Sequence, residues 1–460
     1  MSTNDKTELI PVSNKLRAMV FIGFGILSII IGFVINPTVA GLAEGFKLQQ
    51  ISSGLLDFNT FMAVNGNIGA PFVNSGLTII FAMVSYLITN TTIAGGPIAA
   101  AFMVYGFSFC GKTVWNVWPL FFGVMLYAKV NKKPINSMTP IGWFSGALSP
   151  FVSVATFYIK MGGVNNETIG ETPVFSVLGL CLAIVIGLIL GYMVALFASF
   201  LPDKHTGLTL YNAGFAAGMS GFLLFSIMKV IGLGHASSGP YHDFPDVANG
   251  TLIGSICVLL VYLLGCGLVI VSKERGNIKA IVTTTYGGSA VEQFGFGASL
   301  VNMAACGFGC VVYWVITLTA TAHAPLFACL FTVVGFAANG ISLRTMAPIM
   351  AGVYVSSFGF TALKAMMTGA PVLETAMAHV GSKNMILAAM FGCGLSPTVH
   401  KHGALVGFLT GVIHCTLVVN TGGLHGWMNL YNNGFCSGFV ATFFVPMLLI
   451  LLKKNVQEAK

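Results

Sequence analysis

The sequence predicts an all-α polytopic membrane protein of about 14 membrane segments, arranged as two inverted repeats of about seven. Three observations carry that expectation: composition, apolar runs recurring from end to end, and one motif written twice. Of 460 residues, 56% are hydrophobic and only 7% charged, against roughly a quarter charged in soluble domains. So few charges cannot coat a globule of this size in water, and the surface must face lipid. A bilayer crossing takes about 20 apolar residues, and runs of that order fill the chain. The 56 glycines fit the same solvent, because small residues let helices approach closely in lipid.

Taken in order, a cytoplasmic tail over 1–15 leads into a first membrane repeat over 16–233. Its segments fall near 16–37, 70–89, 94–110, 114–129, 139–159, 173–200 and 212–233. An extracellular connector, 234–248, precedes the second repeat over 249–452, and a cytoplasmic tail over 453–460 follows it. The second set lies near 249–272, 297–318, 322–340, 345–363, 384–399, 403–420 and 429–452. The run Met385 to Pro397 would reach only about 20 Å as a helix against a hydrocarbon core of about 30 Å. It reads as a tilted, flanked or re-entrant element.

Charge sets the orientation. With the N-terminus in the cytoplasm, Lys6, Lys15, Arg17, Lys129, Lys132, Lys133, Lys204, Lys273, Arg275, Lys279, Arg344, Lys401, Lys453, Lys454 and Lys460 fall inside. Only Lys47, Lys112, Lys160, Lys364 and Lys383 fall outside. This bias obeys the positive-inside rule and places both termini of a multi-pass cell-membrane protein in the cytoplasm. It also accounts for the net charge of +8 without a nucleic-acid partner.

The chain resembles itself. Leu210-Tyr211-Asn212-Ala213-Gly214-Phe215-Ala216-Ala217-Gly218 recurs as Leu430-Tyr431-Asn432-Asn433-Gly434-Phe435-Cys436-Ser437-Gly438, identical at six of nine positions and 220 residues away. At the same offset His205 meets His425, Gly191 meets Gly411, and Gly187 meets Gly407. Gly69 to Asn74 pairs with Gly297 to Asn302, and Pro97 with Pro325. Gly111, Pro119 and Gly123 pair with Gly340, Pro348 and Gly352, and Ala147 to Pro150 with Gly394 to Pro397. Seven segments per half is an odd number, so the second copy must enter the membrane from the opposite side. That parity predicts the inversion found in many transporter folds.

Four duplicated polar elements are candidates for chemistry. Asn74 and Asn302 each open a spanning segment, and an amide there needs a partner in another helix or in a passing solute. Ser149-Pro150 and Ser396-Pro397 should kink or break their helices, since proline removes a donor and frees a carbonyl. Tyr211-Asn212 and Tyr431-Asn432 each follow a polar break and open a helix, where Asn is suited to capping. A helix start aimed at a cavity would present unpaired N–H groups to a solute. The candidate substrate-binding set is therefore Asn74, Asn302, Ser149, Ser396, Tyr211, Asn212, Tyr431 and Asn432, against a purely structural use of each.

His205 and His425 are matched but stand near opposite faces. His323, His414, His400, Lys401 and His402 show no ligand spacing beside a carboxylate. His235 and His242 with Asp243 and Asp246 make an unconvincing loop cluster. The ten scattered Cys, including Cys306 and Cys310, read as small buried hydrophobes. No metal or cofactor is expected. Asp57, Glu292 and Glu374 fall in loops or at segment edges, so no carboxylate reaches the middle of a segment. Intramembrane acids mark proton relays and cation pathways, which points away from proton-coupled drug export and leaves a neutral or anionic solute. Walker, nucleophile-elbow and HExxH motifs are missing, and the chain is not expected to be an enzyme.

With the paired Leu-Tyr-Asn-x-Gly-Phe and the run Ser396-Pro397-Thr398-Val399-His400-Lys401-His402-Gly403, the chain resembles a bacterial family of multi-spanning membrane proteins that carries a domain of unknown function. Its architecture is more loosely similar to urea-transporter-type channels, inverted repeats built around paired half-helices. The leading expectation is a transporter or channel for a small polar solute, bound where the repeats meet. A non-transporting scaffold or sensor is the alternative, and a membrane-embedded enzyme a third reading. Partners are the solute and the lipid bilayer; self-association into a homo-oligomer stays open.

Overall fold

The computed structural model describes residues 9–55, 64–159, 173–232, 249–317 and 323–453. The connector 234–248 and its His235, His242, Asp243 and Asp246 lie outside the described residues, as does Asp57.

Helices make up most of the described residues, which include no strand. Eight helices are long and apolar enough to cross a bilayer: Asn14–Ile35, Gly69–Ile88, Val177–His205, Asn212–Val230, Gly250–Glu274, Phe296–Thr317, Leu343–Thr368 and Asn432–Leu451. Their outer faces expose large apolar side chains such as Ile26, Ile30, Val185, Ile189, Val312 and Ile316. Serines, threonines and asparagines are packed inside, among them Ser28, Thr78 and Thr332. That order suits a hydrocarbon solvent, in which polar groups must find partners within the protein.

The remaining sequence-derived segments are shorter or interrupted. Gly95–Phe107 and Ala324–Phe336 have 13 residues each and reach about 20 Å, so they end short of a full crossing. The expected segment near 139–159 is broken into Ile135–Ser145 and Ser149–Phe157 by a turn at Gly146–Leu148. The short run Met385 to Pro397 is likewise split between Lys383–Gly392 and Ser396–His402. Both breaks sit where the Ser-Pro pairs stand.

The two halves repeat one another in contacts as well as in order. The half-helices Gly95–Phe107 and Ala324–Phe336 cross each other reciprocally. A Cβ added at Gly106 would lie 3.1 Å from Phe331 Cβ, and one at Gly335 would lie 2.5 Å from Phe102 Cβ. Helices Asn212–Val230 and Asn432–Phe439 do the same: Gly218 faces the Phe435 ring, Gly438 faces the Phe215 ring, and Gly214 meets Gly434 backbone to backbone. Such exchange of equivalent contacts is what a two-fold axis generates. Within each half, Gly191 packs on the Leu120 carbonyl and Gly411 on the Ile349 carbonyl, at 2.0 and 2.3 Å from an added Cβ. Matched glycines such as Gly191 and Gly411 are therefore helix-crossing points, where any side chain would force the pair apart.

Glu274, buried at the end of its helix, accepts from the Phe296 and Gly297 N–H groups at 2.7 and 2.8 Å. It caps the positive start of helix Phe296–Thr317.

Candidate functional site

Each half-helix ends in a turn, and each turn is held by one of the paired asparagines. Asn74 Nδ2 donates to the carbonyls of Ser108 and Lys112 at 2.8 and 2.9 Å. Asn302 Nδ2 donates to those of Ala337 and Ile341 at 3.0 and 2.8 Å and lies 2.9 Å from the Tyr286 hydroxyl. Both turns need a left-handed residue, supplied by Gly111 at φ +87° and Gly340 at φ +116°. Exposed carbonyls at membrane depth are tolerated only where protein covers them, and these two amides do so. The Asn74 oxygen is also occupied, accepting from Gln50 Nε2 and the Val114 N–H, both at 3.2 Å.

The Ser-Pro breaks and the Leu-Tyr-Asn segments join the halves. Leu210 N–H donates to the Gly394 carbonyl at 2.8 Å, and Leu430 N–H to the Ala147 carbonyl at 2.9 Å. Each carbonyl exposed at a helix break in one half is thus satisfied by the Leu-Tyr-Asn segment of the other. Ser149 Oγ donates to Gly111 O at 3.3 Å and Ser396 Oγ to Cys393 O at 2.6 Å, so both hydroxyls serve the local backbone.

The asparagines of the motif do not cap their helices; Tyr211 and Tyr431 occupy the cap positions. Asn212 Nδ2 donates to Ala198 O at 3.0 Å, and its Oδ1 lies 3.1 Å from His205 Nε2. Asn432 repeats this with Val418 O at 3.3 Å and His425 Nε2 at 3.1 Å. In both histidines Nδ1 accepts a backbone N–H, from Gly207 and from Asn429, which leaves Nε2–H to donate to the asparagine. Burial pushes His425 down to about 4, opposed by its bond to Asn432, so this imidazole is neutral at pH 7. The matched His and Asn form a knot that ties each Leu-Tyr-Asn segment to the preceding helix.

A cavity of about 140 Å³ lies where the halves meet, walled by Leu210 to Gly214 from one and by Leu430, Tyr431, Asn433 and Gly434 from the other. An apolar cavity near this size holds a molecule such as benzene, so about six non-hydrogen atoms fit. Two stacked phenylalanine pairs also line it. Phe107 and Phe391 have centroids 5.6 Å apart at 23°, and Phe144 and Phe336 are 6.1 Å apart at 27°. Each pair joins the last residue of one half-helix, or of its mate, to the broken helix of the opposite half. Tyr431 packs on Phe107 at 4.7 Å and Tyr211 on Phe336 at 4.9 Å. A second cavity of about 90 Å³ shares Phe107, Phe391 and Asn433 with the first, so this pair forms part of the wall between them.

Of the eight sequence candidates, Tyr211, Asn212 and Tyr431 line the first cavity and Asn432 the second. Asn74, Asn302, Ser149 and Ser396 line neither. Lys112, counted in the sequence as an external loop charge, is fully buried and donates to the Tyr431 hydroxyl. The clue was available: only three residues separate the expected segments 94–110 and 114–129, too few to carry a lysine out to water. Asn433, which receives His414 Nε2 at 3.1 Å, and the four phenylalanines were also missed, because apolar residues are unremarkable in this composition.

A family model described as a protein of unknown function, DUF1576, matches residues 41–230 and 282–450, one stretch in each half. No curated protein and no solved structure matches the chain.

Proposed function

Starting from a chain that belongs to the DUF1576 family, we propose a cell-membrane transporter or channel for a small polar solute, neutral or anionic. The two halves are read as inverted repeats about an axis in the membrane plane, with the solute site on that axis. One observation carries the reading: the 140 Å³ cavity is built by the same segment of both halves and bounded by two equivalent phenylalanine pairs. Packing alone would gain by filling such a void, since lost contacts around a cavity cost stability. A solute path, in contrast, needs one at the midplane.

The test uses Ala213, a small residue on the cavity wall. Ala213→Cys, in a background with exposed Cys181 replaced by Ser, should react with a membrane-impermeant thiol reagent in reconstituted vesicles. Reaction should block solute flux. A folded variant that stays unreactive from both sides would favour the scaffold or sensor reading.

A further inference from the structure

The Gly111 turn and the Gly340 turn occupy equivalent places, yet the residue after the glycine is Lys112 in one and Ile341 in the other. Lys112 is 0% exposed. Its ammonium donates to the Tyr431 hydroxyl and lies 4.5 Å from the centroid of that ring and 5.6 Å from that of Phe107. Among the described residues no carboxylate pairs with it. An ionisable group buried at membrane depth is costly and marks a functional site by default. The aromatic faces and the C-terminal pole of half-helix Gly95–Phe107, roughly half a charge, offset that cost only in part. The rest of that cost is relieved only by a counter-charge, and the cavity beyond Tyr431 is where a bound anion would supply one.

Tyr431 stands between this charge and the cavity, which it lines. A phenol has one hydrogen to donate. With Lys112 donating to its oxygen, that hydrogen is left for another acceptor, and Tyr431 makes no further side-chain hydrogen bond among the described residues. A donor polarised by an ammonium behind it favours a negatively charged acceptor. We propose that the cavity is an anion site in which Lys112, acting through the Tyr431 hydroxyl, selects a small monovalent anion of about six non-hydrogen atoms or fewer. One ammonium and no second one at Ile341 set the charge at one. The inference rests on the pathway reading for its transport arm and narrows the solute to anions.

Nitrate and urea are planar and nearly equal in size and differ in charge, so their flux ratio isolates selectivity from folding. Proteoliposomes containing wild type should pass nitrate faster than urea. Lys112→Met removes the charge at similar volume, a change that buried ions commonly tolerate, and Tyr431→Phe removes only the relay. Each should lower nitrate flux at least tenfold, normalised to folded protein, while urea flux moves less than threefold. In detergent, potassium nitrate should raise the melting midpoint of wild type relative to potassium gluconate, whose anion exceeds the cavity, and should leave Lys112→Met unmoved. If Lys112→Met fails to fold, Tyr431→Phe carries the test. An unchanged nitrate-to-urea ratio, or urea outrunning nitrate in wild type, overturns anion selection and leaves the pathway standing. Nitrate stabilisation that depends on Lys112, with no flux of either solute, upholds the anion site and overturns the pathway. Neither flux nor stabilisation overturns both.

Discussion

Replacing Phe391 with Ala removes one leaf of the wall between the 140 and 90 Å³ cavities. Phe391 is 5% exposed and stacks on Phe107. Loss of a buried phenylalanine ring costs about 3 to 5 kcal/mol in tightly packed cores, of which a stacked pair supplies about 0.5 to 1.5 kcal/mol. Because this ring already abuts two voids, the cost should fall near the lower end, about 3 kcal/mol. Most of the cysteines are buried, so a thiol-reactive dye can follow unfolding in detergent and measure that loss. With the ring gone the two cavities join. If the ring is a barrier to the solute, lowering that barrier by about 1.4 kcal/mol raises flux tenfold. Stopped-flow measurements on proteoliposomes should show at least that gain, with weaker discrimination by solute size. A variant that folds, carries the joined cavity and conducts at the wild-type rate would refute the reading of Phe391 as a barrier.

Asn74→Ala and Asn302→Ala each leave two turn carbonyls without their donor; at about 0.6 kcal/mol per membrane hydrogen bond on average, and up to about 1.7, each should lose about 1 to 3 kcal/mol in the dye assay, while flux per folded molecule stays at the wild-type value. For His425 the sign follows from its direction. The folded group binds a proton only near pH 4 and the usual value is 6.5, so the unfolded chain holds more protons in between and stability falls as pH drops from about 6.5 toward 4. The difference between wild type and His425→Gln across that window should approach about 3 kcal/mol, and a difference independent of pH would mean that the imidazole is not held neutral.

Composition and the duplicated blocks made the helical class and the correspondence of halves legible, because the residues that repeat are those whose geometry repeats. Gly191 and Gly411 recur since both crossings leave no room for a Cβ. Asn74 and Asn302 recur since both half-helices end in buried turns. Apolar runs carried less information about length: Gly95–Phe107 is as hydrophobic as a spanning helix yet stops at Phe107, and its end is set by a clamp 33 residues earlier in sequence, at Asn74. The helix breaks were visible as Ser-Pro, but the N–H that donates to each freed carbonyl comes from the other half, which no local pattern reveals.

The same reasoning explains why several of the duplicated polar residues are tied up in the frame. The matched pairs His205–Asn212 and His425–Asn432 hold their own chain, while the matched Tyr211 and Tyr431 line the cavity. Groups that select the charge of a solute can instead differ between copies. In this cavity they do: Asn433 stands opposite Ala213, and the turn beside Tyr431 holds Lys112 where the turn beside Tyr211 holds Ile341. On the proposed reading, a near-symmetric frame with one buried lysine beside its cavity has the minimum asymmetry needed to prefer one sign of solute. On that reading, the substitutions that should exchange an anion path for a neutral one are those at mismatched positions of the internal repeat, Lys112 opposite Ile341 first among them.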